Sequence, residues 1–280
     1  MTLLVAWAGF DSHGCTSAYI ASDSRISFSN NQKYDYGKKV FSCKKYPEIF
    51  GFVGDAIFPS YILQQIVEMI DDDLIINQNM SCVEKNKMIF DKISNGIKEY
   101  KNISSCSTIQ IIHITRRTRE IKTENNKIVY PKFYIHELTY YPKTKKWDKK
   151  RKELSIINSY SVFGSGKKEY LDKLKIYNEK ENRNTSRIYY QCFCDVLENS
   201  SIKTIGGAPQ LVGIERKPNT GGINYGVIYK NKRFYSGIEV PKSSNFDRIK
   251  WRNEKFEIAN GISKKRNLAA KAQPNLVRGK

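Results

Sequence analysis

Hydrophobic residues at the start of the chain follow the pattern of short strands. Residues 3–8 form an uninterrupted apolar run, glycine and aspartate mark a turn at 9–14, and 17–23 predicts the returning strand. Further β-rich pieces cover 39–43 and 48–53. Short strands joined by small turns favour antiparallel pairing.

The spacing of apolar residues then changes to that of helices. Apolar side chains recur three and four positions apart over 56–72 and 82–100, which predicts two amphipathic helices. A second helix pair is predicted after a turn at 164–166, and its second member covers about 185–198. The other predicted strands cover 108–115, 133–140, 159–163, 210–215, 223–229 and 233–240.

This order of elements predicts two antiparallel sheets covered by helix pairs, because that arrangement buries every apolar face. Residues 1–240 are expected to form one domain. Residues 241–280 show little periodicity and many cations, and are expected to be a basic tail with a short helix near 246–258. An exposed loop or hairpin tip is expected at 142–152.

Composition excludes several classes of protein. The chain has 280 residues, of which 40% are hydrophobic, so wholesale disorder is not expected. Its longest apolar runs are far shorter than the ~18 residues of a membrane span, and no secretion signal opens it. A cytoplasmic protein is therefore expected. Six cysteines and three histidines, none at metal-ligand spacing, favour neither a disulfide scaffold nor a metal site, and no cofactor is expected.

The chain is strongly basic, with 48 Lys and Arg against 28 Asp and Glu and a net charge of +20. Residues 143–152 alone contain six lysines and one arginine. A solvated face or tail is favoured over a nucleic-acid groove, because no zinc-finger, RNP or helix-turn-helix signature accompanies the charge. A polyanion-binding protein remains an alternative.

Thr2 is the first candidate for chemistry. A small residue after Met1 lets methionine aminopeptidase remove Met1 and leave threonine at the amino terminus. Such a residue carries a hydroxyl nucleophile and its own general base, an α-amine with an ordinary pKa of about 7.7–8.0. Threonine is common at this position, so Thr2 needs support from other residues.

Four segments supply that support. They read Thr-Leu-Leu-Val-Ala at 2–6, Ile-Ala-Ser-Asp-Ser-Arg at 20–25, Gly-Lys-Lys-Val at 37–40 and Gly-Phe-Val-Gly at 51–54. In order and spacing they resemble the proteasome β-subunit family, which includes the HslUV-type peptidases, all N-terminal nucleophile (Ntn) hydrolases. The likeness extends over roughly residues 2–240. It implies an α+β fold, a four-layer αββα sandwich of two antiparallel sheets flanked by helix pairs.

The resemblance implies a role for each matched residue. Thr2 would attack the carbonyl, and its amine would take the proton. Lys39 would lower the basicity of the site, Asp23, sixteen residues earlier, would pair with Lys39, and the Gly54 N–H would stabilise the oxyanion.

Two later segments extend the resemblance. The turn at 164–166 is similar to a Gly-Ser-Gly turn whose serine supports the amine, which points to Ser165. The segment 219–222 is similar to a Ser-Gly-Gly element and puts Thr220 at the serine position. The family often has an aspartate three residues earlier, whereas this chain has Lys217.

The implied function is a threonine-type endopeptidase that cleaves amide bonds through an acyl-enzyme. The implied substrates are peptides or unfolded proteins, and the implied assembly is a homo-oligomeric ring. A separate ATP-dependent unfoldase is a possible partner, because this chain has no phosphate-binding Gly-x-x-x-x-Gly-Lys-Ser/Thr loop of its own. Alternatives are an inactive structural or interaction subunit, for which Lys217 argues, and an Ntn amidase acting on a small molecule.

Overall fold

A computed structural model describes residues 2–28, 32–100, 108–117, 122–124, 127–157, 159–179, 185–217 and 220–270. The helices in this part of the chain are α1 (Ile57–Asp71), α2 (Cys82–Glu99), α3 (Lys167–Asn178) and α4 (Ser186–Asn199). The strands are β1 (Leu3–Asp11), β2 (Gly14–Ser22), β3 (Ile26–Ser27), β4 (Lys33–Tyr34), β5 (Val40–Ser42), β6 (Glu48–Val53), β7 (Ile109–Arg116), β8 (Lys122–Glu124), β9 (Lys127–Val129), β10 (Phe133–Tyr141), β11 (Lys146–Glu153), β12 (Tyr160–Gly164), β13 (Gln210–Glu215), β14 (Ile223–Tyr229), β15 (Lys232–Tyr235), β16 (Ile238–Glu239), β17 (Trp251–Asn253) and β18 (Ile258–Ala259).

Two large sheets contain most of these strands. The nine-stranded sheet has the order β12-β1-β2-β13-β14-β15-β16, with β17 paired to β14 and β18 paired to β17. The five-stranded sheet has the order β11-β10-β7-β6-β5, and β3-β4 and β8-β9 are separate two-stranded sheets. The pairing of β14 with β17 is parallel, whereas the other strand pairs are antiparallel.

The expected fold class is wrong. The described residues form a mostly-sheet fold with only four helices, and not the four-layer αββα sandwich of two antiparallel sheets flanked by helix pairs. The physical reason is that pairing extends beyond the segments whose alternation predicted strands. Residues 146–153 form an edge strand instead of a loop, and 251–259 add two short strands, one of them parallel to its neighbour.

Strand β1 is apolar along most of its length because both of its faces are buried. Leu3, Val5 and Trp7 belong to one hydrophobic cluster, which also contains buried side chains of α3 and α4. Leu4 and Ala6 face the opposite cluster, which contains residues of both large sheets. A strand covered on both sides loses the polar alternation of a half-exposed strand. It is also held rigidly, which fixes the position of the residue that precedes it.

A third cluster lies beneath α1 and α2, on the five-stranded sheet. Helix α2 begins with a capping box, in which the Ser81 hydroxyl accepts from the Glu84 N–H and the Glu84 carboxylate accepts from the Ser81 N–H. At the start of α4 the Thr185 hydroxyl accepts from the Ile188 N–H. These caps explain why the observed helices begin close to where apolar periodicity placed them.

The segment that follows residue 240 packs against the nine-stranded sheet. Trp251 is 3% exposed, and its indole N–H donates to the Phe246 carbonyl at 3.1 Å. The short helix expected near 246–258 is therefore wrong, because this stretch pairs as strands. Residues 271–280 of the expected basic tail lie outside the described residues.

No helix within the described ranges is long and apolar enough to cross a membrane. The five cysteines that the structure describes are free thiols, and Cys106 lies outside the described residues.

Candidate active site

Three strand ends bring Thr2, Asp23 and Lys39 together. Thr2 immediately precedes β1, Asp23 follows the last residue of β2, and Lys39 immediately precedes β5. The β1–β2 register pairs Leu4 with Ser22, which places the start of β1 beside the end of β2. Over the sixteen residues from Asp23 to Lys39, the chain thus leaves the end of β2 and returns to it.

The three side chains are in direct contact. The Lys39 ammonium nitrogen Nζ donates to the Thr2 hydroxyl oxygen Oγ1, and it donates to Asp23 Oδ1 at 3.0 Å. Thr2 is 3% exposed, Lys39 2% and Asp23 0%. A hydroxyl, an amine and a carboxyl group therefore share an enclosure from which most water is excluded.

Four donors hold the Asp23 carboxyl group. Oδ1 accepts from Lys39 Nζ and from the Leu3 N–H at 3.1 Å. Oδ2 accepts from the backbone N–H groups of Arg25 and Gly206, each at 3.2 Å. Because both oxygens are occupied, the carboxyl group has a fixed orientation, and the side chain of Lys39 is fixed with it.

Gln210 is a contributor that the sequence analysis missed. Its side-chain carbonyl accepts from the Lys39 N–H at 3.1 Å, and its amide donates to the Gly37 and Asp23 carbonyls at 2.7 and 3.3 Å. The residue is 1% exposed and opens strand β13, whose next four residues, Leu-Val-Gly-Ile, are apolar and buried. A buried amide at the start of an apolar strand is the signal that could have indicated it.

Burial lowers the pKa of Lys39, and the neighbouring Asp23 carboxylate only partly offsets this effect. The amine therefore gives up a proton more readily than an ordinary lysine. A basic nitrogen in hydrogen-bond contact with a hydroxyl is the arrangement that activates an oxygen nucleophile.

The turn that contains Ser165 lies against the backbone of Thr2. Gly164 pairs with Leu3 in the β1–β12 register, and the Gly166 N–H lies 3.5 Å from the Thr2 carbonyl oxygen. Gly164 has φ +92°, and a Cβ atom there would lie 1.9 Å from the Thr2 carbonyl oxygen. The Ser165 hydroxyl itself is 3.2 Å from the Thr204 hydroxyl.

Gly54 lies directly after β6, at the turn into α1. The side chain of Val53 lies within 3.3 Å of the place where a Gly164 Cβ would be. Gly54 is therefore one residue from a side chain that touches the turn beside Thr2.

The structure does not bring Thr220 to this site. The Thr220 hydroxyl donates to the Lys217 carbonyl at 2.7 Å, and Arg116 donates to the Thr220 carbonyl at 3.2 Å. Arg116 also donates to the carbonyl of Glu215, the last residue of β13, whereas Gln210, the first residue of the same strand, lies beside Asp23. Thr220 and Lys217 are therefore at the opposite end of β13.

A different glycine pair lies beside Asp23. Gly206 donates to the Asp23 carboxylate, and its carbonyl accepts from the Ser24 and Arg25 N–H groups at 3.2 and 3.1 Å. The neighbouring Gly207 is so close that a Cβ there would lie 2.2 Å from the Ser24 hydroxyl oxygen. The segment at 206–207 thus contributes backbone groups around Asp23 that the sequence analysis did not single out.

Comparison with solved structures gives a fold match. A mutant of Anbu from Hyphomicrobium sp. strain MC1 aligns with a TM-score of 0.51 and 13% identity over 80% of this chain and 87% of that one. In fold, the chain resembles Anbu. Anbu from Yersinia bercovieri, described as an ancestral beta-subunit, aligns with a TM-score of 0.49 and 13% identity over 79% and 86% of the two chains. A helical assembly of the Anbu complex from Pseudomonas aeruginosa aligns with a TM-score of 0.49 and 12% identity, over 88% of this chain and 89% of that one.

These comparisons correct the expected family. Anbu is proteasome-like but distinct from the proteasome β-subunit and HslUV-type families, and nothing found supports the HslUV type. No protein-family model and no curated protein matches the chain. At 13% identity the likeness to Anbu concerns the fold alone.

Within the part of the chain that the structure describes, no three His, Cys, Asp or Glu side chains are grouped so that they could hold a metal ion. The groups that the structure places around Thr2 are a hydroxyl, an amine, a carboxyl group and backbone N–H groups.

Proposed function

We propose that this chain is an N-terminal threonine hydrolase of the endopeptidase type, active after removal of Met1. The observation that carries the proposal is the buried contact between Lys39 Nζ and Thr2 Oγ1, with Asp23 holding the lysine at 3.0 Å. Charged groups are rarely buried unless they are paired and hydrogen-bonded. Here the pair points a basic nitrogen at a hydroxyl group.

The reaction follows ordinary acyl transfer. Thr2 Oγ1 attacks the amide carbonyl carbon as its proton passes to a basic nitrogen. Two nitrogens can accept that proton: Lys39 Nζ, whose pKa is lowered by burial, and the α-amine that loss of Met1 exposes, with an ordinary pKa of about 7.7–8.0. The proton then moves to the leaving amine as the C–N bond breaks. Water hydrolyses the resulting ester and restores the hydroxyl.

The other residues have supporting parts in this proposal. Asp23 orients Lys39 and neutralises its charge when the lysine is protonated. The Gly54 N–H is proposed to stabilise the oxyanion, a contact typically worth about 2.7–4 kcal/mol. Ser165 is proposed to act with Thr204, its hydrogen-bond partner at 3.2 Å. Thr220 has no part in the reaction, since its hydroxyl is bound at the far end of β13.

The proposed substrate is a peptide or an unfolded segment of protein. Thr2 is 3% exposed, so an extended chain fits the approach to its hydroxyl better than a folded surface does. The fold likeness to Anbu, which is proteasome-like, supports the same class. The homo-oligomeric ring and the separate ATP-dependent unfoldase stay predictions.

The experiment is the intact mass of the purified protein before and after treatment with a peptide epoxyketone. This reagent forms its stable ring adduct only with a free amino group next to a nucleophilic hydroxyl. We expect loss of Met1 and one adduct per chain.

Two variants complete that experiment. Thr2→Ala should lose Met1 and form no adduct, because the hydroxyl is gone, whereas the matched control Thr220→Ala should react like the parent chain. An adduct on Thr2→Ala, or a parent chain that keeps Met1 and still hydrolyses peptides, would place the nucleophile elsewhere.

A further inference from the structure

A second cleft lies between helix α2 and strands β10 and β11, and it shares no residue with the site around Thr2. Its volume is about 440 Å³. Four cations, Lys87, Lys149, Lys150 and Arg151, line it with a single carboxylate, Asp91. Three of these cations belong to the basic run that the sequence analysis expected to be a solvated loop. They stand instead on β11, the edge strand of the five-stranded sheet.

Lys150 is paired with Asp148 at 3.2 Å, whereas the other cationic groups of this cleft are positioned but not neutralised. Lys149 Nζ lies 4.2 Å from the centre of the Phe90 ring, and the Arg151 guanidinium lies 4.1 Å from the centre of the Tyr134 ring. Across the described ranges, no carboxylate pairs with either of them or with Lys87. Aromatic rings hold a cation in place while leaving its N–H groups available to a ligand.

His136 lines the cleft with an unused ring nitrogen. The residue is 4% exposed, and among the residues that the structure describes its Nε2 atom has no hydrogen-bond partner. A buried polar atom without a partner is unfavourable and uncommon in folded proteins. Burial is the largest cause that lowers the pKa of His136 to about 3, and the nearby Arg151 charge adds to it. At neutral pH the ring is therefore uncharged, and it can donate one N–H to an acceptor in the cleft.

The polar side chains that lie behind His136 are hydrogen-bonded to one another. Asn86 donates to His113 Nδ1 at 3.2 Å, and His113 Nε2 donates to Glu48 at 2.7 Å. Lys85 pairs with the same carboxylate at 3.2 Å. The His113 ring stacks on that of His136, with 5.5 Å between their centres. The buried carboxylate is thus compensated by Lys85 and does not oppose an anion in the cleft.

We propose that this cleft binds a phosphate group, with His136 Nε2, Lys149 and Arg151 as its donors. The donors stand on two strands, and Lys87 adds a cation from the facing helix, so they surround an acceptor from several directions. A tetrahedral phosphate offers oxygens in all of those directions, whereas a planar carboxylate does not. The cleft is larger than a phosphate ion, so it also has room for the organic part of a phosphate monoester.

The test follows the histidine side chains by NMR in the full-length protein with ¹³C-labelled histidine. The chain has only three histidines, and the exposed His13 is assigned with His13→Asn and His136 with His136→Phe. Inorganic phosphate and phenyl phosphate are titrated separately at constant ionic strength. We expect a saturable shift of the His136 signal with one or both probes.

Matched variants separate a site from general attraction to a basic protein. Lys149→Gln and Arg151→Gln should each weaken binding about tenfold, the effect typical of losing one hydrogen bond to a charged group. Lys146→Gln removes the same charge from the same strand but does not line the cleft, and it should change affinity less than about twofold.

Each outcome of these titrations either supports or contradicts the phosphate site. Tighter binding of phenyl phosphate identifies a monoester as the ligand class, and equal binding identifies the phosphate group itself. A non-saturating shift, an equal loss in Lys146→Gln, or no response of the His136 signal to either probe would overturn the proposal. None of these measurements depends on hydrolysis by Thr2.

Discussion

Lys39 stands in a lysine-rich chain, yet only 2% of it is exposed. Burying an ammonium group is costly unless a partner compensates it, and removing one member of a buried pair is worse still. Asp23 supplies the compensation and Thr2 takes the remaining contact. The lowered pKa of Lys39 is the chemical consequence of this enclosure, and it can be tested by titration.

We expect Lys39→Arg to abolish peptide hydrolysis. Arginine keeps the positive charge but does not lose a proton in the accessible pH range. In the parent chain the proton-accepting form of Lys39 grows as pH rises, so the rate should climb with pH. Because burial lowers the pKa, that rise should lie below the ordinary lysine value of 10.5. The measurement is kcat/KM against pH.

The neighbouring Lys38→Arg is the control for this substitution. Lys38 is exposed, and its amine lies 4.7 Å from the centre of the Phe41 ring. If Lys39→Arg kept full activity, or kept the pH profile of the parent chain, Lys39 would not be the group that accepts the proton.

Gln210 acts on the reaction only through Lys39, Gly37 and Asp23, so it is a positioning residue. Gln210→Leu has nearly the same volume but leaves their backbone groups without partners. We expect kcat to fall by up to about a hundredfold, the effect of small misplacements in active sites, with KM little changed. Steady-state kinetics measures this split, and the exposed Gln65→Leu on α1 is the control. A change confined to KM would contradict a positioning role.

At the scale of single elements, the turn from β12 into α3 fixes the position of the Thr2 backbone. Gly164 has a positive φ and lies directly against the Thr2 carbonyl. A side chain at this position meets both strained torsion angles and a backbone clash. The turn therefore constrains Thr2 without contributing a reacting atom.

We expect Gly164→Ala to reduce peptide hydrolysis strongly, because the added Cβ would displace Thr2 from Lys39. Gly14→Ala is a matched control. Gly14 also has a positive φ, +107°, but no atom of the described residues lies within 4 Å of an added Cβ. Both variants carry the torsional cost, and only the first carries the clash. Equal activity of the two would show that the clash is relieved without moving the nucleophile. The hydrolysis rate reports displacement of Thr2, and thermal melting reports the torsional cost that both variants share.

The elements also show what the sequence could predict. Thr2, Asp23 and Lys39 stand at the ends of strands whose apolar runs were clear. The pairing of β1 with β2 brings Thr2 beside Asp23, and packing of β5 of the five-stranded sheet against these strands brings Lys39 to them. The contact of Gly206 with Asp23 was not predictable, because the two residues are 183 positions apart and no pattern in the sequence links them. Strand β11 was missed because an edge strand rich in charge shows little apolar alternation.

For the whole molecule, the segment after residue 240 is part of the packed structure. Trp251 and Phe246 form a small cluster of their own with Ile228 and Ala259, beside the nine-stranded sheet. The Arg233 side chain bonds to the carbonyls of Gly261 and Ile262. We infer that the folded domain extends to about residue 270.

Trp251→Ala should lower the free energy of unfolding by about 3–5 kcal/mol, the usual cost of truncating a buried aromatic residue. Leu268→Ala, at a position 94% exposed, should change it by less than about 0.5 kcal/mol. Denaturant titration measures both. If Trp251→Ala were as stable as the parent chain, the segment would be an appendage and not part of the domain.

The hydrogen bonds that hold Asp23 span most of the chain. Gly206 and Gln210 lie 183 and 187 positions from it, and contacts between such distant residues form late and slowly as a protein folds. A nascent chain that leaves the ribosome amino terminus first therefore exposes Thr2 long before the segment that organises the pair beside it has been made. Under the proposed function, hydrolytic competence would arrive only after residues 206–210 have been synthesised, which would protect the growing polypeptide and its neighbours from premature cleavage.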